Sequence, residues 1–139
     1  MTLYFDTSAL VKLVVDEDGS ELVAELWALR QPVASSILSY PEGCAALAAA
    51  WRAGRLGARQ HGRSLDDLAA AHGEVHVLGI DEPLAHHAGE LARDLGLRGY
   101  DAVHLATALA LGADTTVVTW DRRLGRGAVQ SGCAVAPPL

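Results

Sequence analysis

Thr2-Leu3-Tyr4-Phe5-Asp6-Thr7-Ser8-Ala9-Leu10-Val11-Lys12-Leu13-Val14-Val15 is the stretch that decides the fold class. Leu3 to Phe5 is a short apolar run of the kind a buried strand needs, and it ends in Asp-Thr-Ser, residues that favour a helix N-cap. From Ala9 to Val15 the apolar residues have helix-compatible spacing, so the order is strand, cap, helix. An acid thus arrives where an apolar strand ends and a helix begins.

Working outward, Asp18-Gly19-Ser20 breaks the first helix, and Ser20 is positioned to cap a second, amphipathic one, ELVAELWALR, which Pro32 ends. Val33-Ala34-Ser35 reads as a short buried strand, and residues 36–53 have strong helix propensity, with Ser36 or Ser39 as cap and Pro41 in the first turn. Beyond Gly54 to Gly57 comes a polar helix reaching about His72, then a buried strand over Val75 to Ile80. Asp81 caps the next helix, which runs to Gly96; another spans roughly Tyr100 to Leu111 and stops at Gly112. Thr115 to Trp120 is a β-branched strand that delivers Asp121, and a short helix and the strand Cys133-Ala134-Val135 follow. Strands alternating with helices predict one α/β domain over residues 1–139, a parallel central sheet of about four to five strands with helices on both faces.

The 139 residues are half apolar, enough for a core, and no low-complexity run argues for disorder. Eleven Lys and Arg against seventeen Asp and Glu give a net charge of −6, the wrong sign for gripping nucleic acid by bulk electrostatics. Local basic patches or metal ions must do any such gripping. MTLYFDTSAL has no basic segment leading into a long apolar stretch, so neither a signal peptide nor a membrane span is expected, and a cytoplasmic location follows. Cys44 and Cys133 lack metal-type spacing and are expected as reduced, buried thiols.

In open parallel sheets, ligands bind beyond the carboxyl ends of the strands. Asp6 follows LYF, Asp121 follows TTVVTW, and Glu42 lies just after VAS, so all three are expected at one edge. Asp101 opens a helix that another helix precedes, and topology alone leaves its place open. Asp and Glu also suit helix N-termini on capping grounds. However, Asp6 and Asp121 interrupt apolar surroundings, and no basic residue lies within four positions of Asp6 or Glu42. A hard divalent cation, Mg2+ or Mn2+, is the natural countercharge for crowded carboxylates, and such a centre suits in-line attack on a phosphodiester. Thr7, Ser8 and Thr119 flank the acids and could orient them, while His104 shares the helix face of Asp101 and ranks as a supporting residue.

YFDTSAL at 4–10, SYPE at 39–42, YDAVHLATAL at 100–109 and VVTWDRRL at 117–124 resemble, in order and spacing, the four acidic motifs of PIN-domain proteins. Nearly the whole chain is similar to the VapC toxins, the small PIN-domain ribonucleases of toxin–antitoxin pairs. That resemblance implies Asp6, Glu42, Asp101 and Asp121 as catalytic, metal-holding positions, and it brings Asp101 to the pocket. It also implies Mg2+ or Mn2+, cleavage of RNA with inhibition of translation, homodimerisation, and a VapB-like antitoxin whose C-terminal segment fills the groove. An acidic pocket suits an Arg or Lys from that segment in place of metal.

Arg122, Arg123 and Arg126 adjoin the expected site and are the first RNA-contact candidates. Arg52, Arg55 and Arg59, with Arg63, Trp51 and His61, form a second basic stretch, which a solvated pair of helix ends would also explain. The other histidines show no ligand-type pairing. A phosphatase of the haloacid dehalogenase type needs a second Asp where Ser8 stands, and a lysine besides; Lys12 is the one lysine in the chain. A receiver domain fails similarly. A PIN-like module that binds without cleaving has no support from the acids, all four being present.

Overall fold

The computed structural model describes residues 1–139. The elements, in chain order, are β1 (Thr2–Phe5), α1 (Thr7–Val14), α2 (Ser20–Ala28), β2 (Val33–Ser36), α3 (Ser39–Arg52), α4 (Ala58–Glu74), β3 (His76–Leu78), α5 (Glu82–Leu95), α6 (Gly99–Ala110), β4 (Thr115–Val118), α7 (Arg122–Gln130) and β5 (Ala134–Ala136). The five strands form one sheet in the order β3-β2-β1-β4-β5, all parallel. No helix is long and apolar enough to cross a membrane.

Alternation along the central strands assigns the two faces. Leu3 and Phe5 point into a core with Leu10, Val23, Leu47 and Leu68 of α1 to α4, whereas Tyr4 points into a core with Leu105, Leu124 and Ala128 of α6 and α7. Val117 and Val118 of β4 divide in the same way. Helices therefore cover both faces, as the alternation of elements predicts.

The order of strands reverses at β1: β2 and β3 lie on one side, β4 and β5 on the other. The crevice between the carboxyl ends of β1 and β4 is thus the switch point at which such sheets bind ligands. The link from α6 to β4 is only Leu111 to Asp114. Because β4 must begin at the amino edge, α6 runs against the strands, and its 12 residues, about 18 Å long, carry its N-terminus back to the carboxyl edge. That is how Asp101 joins the strand-end acids.

Some local expectations need correction. The segment Val75 to Ile80 is no buried strand; only His76–Leu78 pairs, at the sheet's edge, and His76 is exposed. Ser20 is the first residue of α2 and caps nothing there; its hydroxyl bonds to Val15 O and accepts from Glu17 N, and Gly19 is the cap. Neither Ser36 nor Ser39 caps α3, since Ser39 shares a hydrogen bond with Ser35 and Ser36 accepts from Leu38 N. Pro41 does fall in the first turn of α3, where its missing N–H is harmless. Asp81 caps α5 through Leu84 N, and Gly96 ends it with φ +67°. Cys44 and Cys133 are unpaired but half-buried rather than buried.

Gly19 has φ +95°, and a Cβ there would stand 2.6 Å from the indole ring of Trp120. Gly96 shares the left-handed backbone but has open space around it. In urea unfolding, Gly96→Ala is expected to cost about 1–2 kcal/mol from backbone strain. Gly19→Ala is expected to cost distinctly more, because Trp120 must also move; equal losses would contradict this packing.

Candidate active site

The carboxyl ends of β1 and β4 are held together by two hydroxyls. Thr119 Oγ1 donates to Asp6 Oδ2 (2.5 Å) and accepts from the backbone N–H of Asp121 (3.0 Å). Ser8 Oγ donates to Asp6 Oδ1 (2.6 Å) and accepts from Trp120 N (3.0 Å). Asp6 is also the N-cap of α1, accepting from Ala9 N at 3.0 Å, and Asp121 is the N-cap of α7, accepting from Leu124 N at 3.1 Å. Capping and site membership are therefore the same geometry.

Glu42, in the first turn of α3, is held from two sides. Thr7 Oγ1 donates to its Oε1 at 2.6 Å, and His104 Nε2 lies 2.7 Å from the same oxygen. The other ring nitrogen of His104, Nδ1, stands 2.6 Å from the hydroxyl of Tyr4. Burial, and then the charge of Asp6, raises the Tyr4 hydroxyl well above its ordinary value, so it keeps its proton. The carboxylate of Glu42 can only accept, so Nε2 of His104 carries a proton facing it, while the Tyr4 hydroxyl pairs with Nδ1. The buried imidazole thus fixes the carboxylate from behind.

Asp101, buried on α6, meets Asp121 through a residue that the motifs do not flag. Arg98 Nε bonds to Asp101 Oδ2 and Arg98 Nη2 to Asp121 Oδ2, each at 3.0 Å. The same guanidinium lies 4.8 Å from the ring centre of Tyr100, which is 43% exposed at the rim. Arg98 immediately precedes α6, and basic charge beside the YDAVH stretch was the available signal.

The electrostatics differ from acid to acid. Burial pushes the Asp6 carboxyl above its usual value, against the pull of His104, Ser8, Thr119 and the Ala9 N–H. Burial likewise raises Asp101; the Arg98 bond opposes this and the negative charge of Asp121 adds to it. For Glu42, burial also works against the charge, but the hydrogen bonds from His104 and Thr7 outweigh it and hold the carboxyl below its usual value. Two of the four acids thus lack sufficient countercharge.

Asp6, Glu42, Asp101 and Asp121 line one cavity of about 270 Å³, with Thr7, Ser8 and His104 in its wall; Thr119 supports it from the β4 end. Glu17, paired with Lys12 at 3.0 Å, is a fifth acid on its margin. No three ligand-type side chains stand gathered as a ready-made metal cluster. The donors are nonetheless all carboxylate oxygens, the set a hard divalent cation takes, and Arg98 stands between two of them as the cation in residence. The residues fit Mg2+ or Mn2+ in kind.

The basic candidates divide. Arg122 and Arg126 line an adjoining cavity of about 530 Å³ with Thr119, Trp120 and Asp121. Arg123 borders a separate depression beside Leu97 and Gln130, with Arg126 between the two. Arg52, Arg55 and Arg59 lie at the far end of α3 and the start of α4, away from the acids.

Comparison with known proteins gives the family of the chain. The PIN domain family model matches residues 3–129. Ribonuclease VapC49 of Mycobacterium tuberculosis is 46% identical over 143 aligned positions, covering 97% of this chain and 94% of that protein. Among solved structures, PAE2754 of Pyrobaculum aerophilum superposes with a TM-score of 0.71 at 26% identity, over 97% of this chain and 89% of that one. VapBC2 of Rickettsia felis, solved bound to a DNA fragment from its promoter, shares the fold with a TM-score of 0.67 at 16% identity, over 97% of both chains. A match that takes in all four acids and nearly the full length leaves one conclusion: the chain belongs to the PIN-domain family, on its VapC branch.

Proposed function

We propose that this chain is a metal-dependent endoribonuclease, the toxin of a toxin–antitoxin pair, which cleaves RNA phosphodiester bonds and thereby inhibits translation. The observation that carries the reading is the convergence of Asp6, Glu42, Asp101 and Asp121, from four separate elements, on one small cavity at the switch point of the sheet. Kinship with a ribonuclease at 46% identity supports it.

In this reading Asp6, Asp101 and Asp121 hold Mg2+ or Mn2+, with Glu42 completing the set. The bound cation supplies positive charge against the oxyanion that builds during in-line attack on phosphorus. Thr119 and Ser8 fix both oxygens of Asp6, and Thr7 and His104 fix Glu42, so the carboxylates need little reorganisation. Arg122 and Arg126 lie where RNA leaving the pocket meets a positive wall.

The partners of the proposal are RNA, a VapB-like antitoxin and a second copy of the chain as homodimer. An antitoxin arginine suits the cavity for a reason internal to this chain: Arg98 already bonds Asp101 and Asp121 together, so a guanidinium is an acceptable occupant there.

Purified, antitoxin-free protein incubated with total RNA and Mg2+ or Mn2+ is expected to produce discrete fragments. Asp6→Asn and Asp101→Asn should each reduce the rate by about a hundredfold or more. Cleavage surviving in both variants assigns the activity to a contaminant, and none in any metal favours a binding module.

Stability follows the raised Asp6 carboxyl. A carboxyl whose folded pKa exceeds its unfolded value stabilises the fold at low pH, and that contribution is lost as pH rises from the usual carboxylate range through the folded pKa. In EDTA at neutral pH, Asp6→Asn should therefore be more stable than the wild type by urea unfolding, and the gap should close as pH falls. A less stable variant at neutral pH would refute the cost assigned to this charge.

Arg98→Gln removes the competing cation. By calorimetry it should bind Mn2+ several-fold more tightly than the wild type; unchanged or weaker binding would show that Arg98 and metal do not compete.

A further inference from the structure

The acidic cavity offers a polyanion little attraction, and the α3–α4 hairpin carries what it lacks. From Gly43 to Leu65 the chain contains no Asp or Glu, yet Arg52, Arg55, Arg59 and Arg63 fall within it, four of the eleven Lys and Arg residues in a chain of net charge −6. All four are exposed, and none takes part in an ion pair. A surface shaped for solubility alone intersperses the two signs; here four like charges gather, and the nearest acids along the chain, Asp66 and Asp67, adjoin Arg63 alone.

The same hairpin displays an aromatic pair. Trp51 and His61 stack with ring centres 4.8 Å apart and planes 22° from parallel. A stack kept for packing would bury both rings and satisfy the imidazole. This one leaves Trp51 46% exposed and His61 Nε2 buried without a hydrogen-bond partner. The hairpin is also rigidly set: Leu56 is buried in the core with Leu47 and Leu68, and the N–H groups of Arg55 and Leu56 both bond to Ala50 O. A display fixed in this way loses little conformational freedom on binding.

The position suits a long ligand. α3 opens at the acidic cavity with Glu42 and reaches Trp51 nine residues later, about 14 Å along its axis. We infer that the α3–α4 hairpin is a second RNA-binding site, where Arg52, Arg55, Arg59 and Arg63 take backbone phosphates of the strand flanking the cut and Trp51 stacks a base. The inference rests on the ribonuclease reading of the acidic cavity and adds to it where the rest of the strand lies. Arginine binds phosphate in fork geometry, and an exposed indole beside it serves any base face. An acidic protein surface would meet the guanidinium groups but gives no reason for the open tryptophan.

The test uses full-length protein in EDTA, which leaves RNA uncut, and labelled single-stranded RNA of about 6 and about 20 nucleotides, read by fluorescence anisotropy over a salt series. The Arg55→Gln/Arg59→Gln variant should bind the longer RNA about tenfold more weakly, with a salt slope shallower by about 1.4, and bind the shorter one within about twofold of wild type. Trp51→Ala should weaken the longer RNA as well, and Trp51→Phe should restore most of the loss. Melting curves confirm that each variant is folded. Wild-type affinity for the longer RNA in the double variant, or equal losses at both lengths, overturns the inference while leaving the nuclease reading intact. So does unchanged RNA binding with an altered molecular mass in solution, which assigns the hairpin to a protein contact. Failure of the wild type both to bind and to cut RNA brings down both readings.

Discussion

The burial of one carboxylate at the junction of two strands is the constraint on which the rest of this molecule depends. Asp6 ends β1 beside the end of β4, where apolar side chains close off solvent below it. An ionised group in that place is costly unless hydrogen-bonded, and Ser8, Ala9 N and Thr119 meet that need. Two of these donors are themselves tied to β4: Ser8 accepts from Trp120 N, and Thr119 both follows β4 and accepts from Asp121 N. The same bonds that tolerate the charge therefore hold Asp6 and Asp121 in register.

Around that junction the acids are supported by unlike means. Glu42 has a buried histidine and a threonine, Asp101 and Asp121 share an arginine, and Asp6 has neutral donors only. Asp6 is the more deeply buried of the two, and desolvation there outweighs its donors and the pull of His104, so Asp6 remains raised while Glu42, closer to solvent, is lowered by its hydrogen bonds. The cavity is thus rigid in geometry and under-compensated in charge, a combination that favours an incoming cation.

Much of this was legible in the sequence, because it is local. Asp6 and Asp121 are read from apolar strands that stop at an acid, and Asp81 shows the same signature at β3, where it caps α5 and joins no site. Strand-end logic finds helix caps; the switch point decides which caps matter. Asp101 was within reach of that logic too, since a helix linked by four residues to a parallel strand must start at the opposite edge. The Tyr4–His104–Glu42 chain was not legible, because its links span 100 and 62 positions and join β1, α6 and α3. Arg98 escaped for a related reason: its bond to Asp101 is local, but its bond to Asp121 exists only once α6 and α7 begin side by side. The strand at Val75 to Ile80 was misjudged because an apolar run cannot tell a central strand from an edge one.

Arg98 has a consequence for what holds the acidic edge together. Many small metal sites hold their domains together, so the chain is unfolded until the ion arrives. Here a side chain of the chain itself sits between Asp101 and Asp121 and balances part of their repulsion. The starts of α6 and α7 thereby carry their own countercharge, and the placing of these two acids is a property of the chain's own sequence.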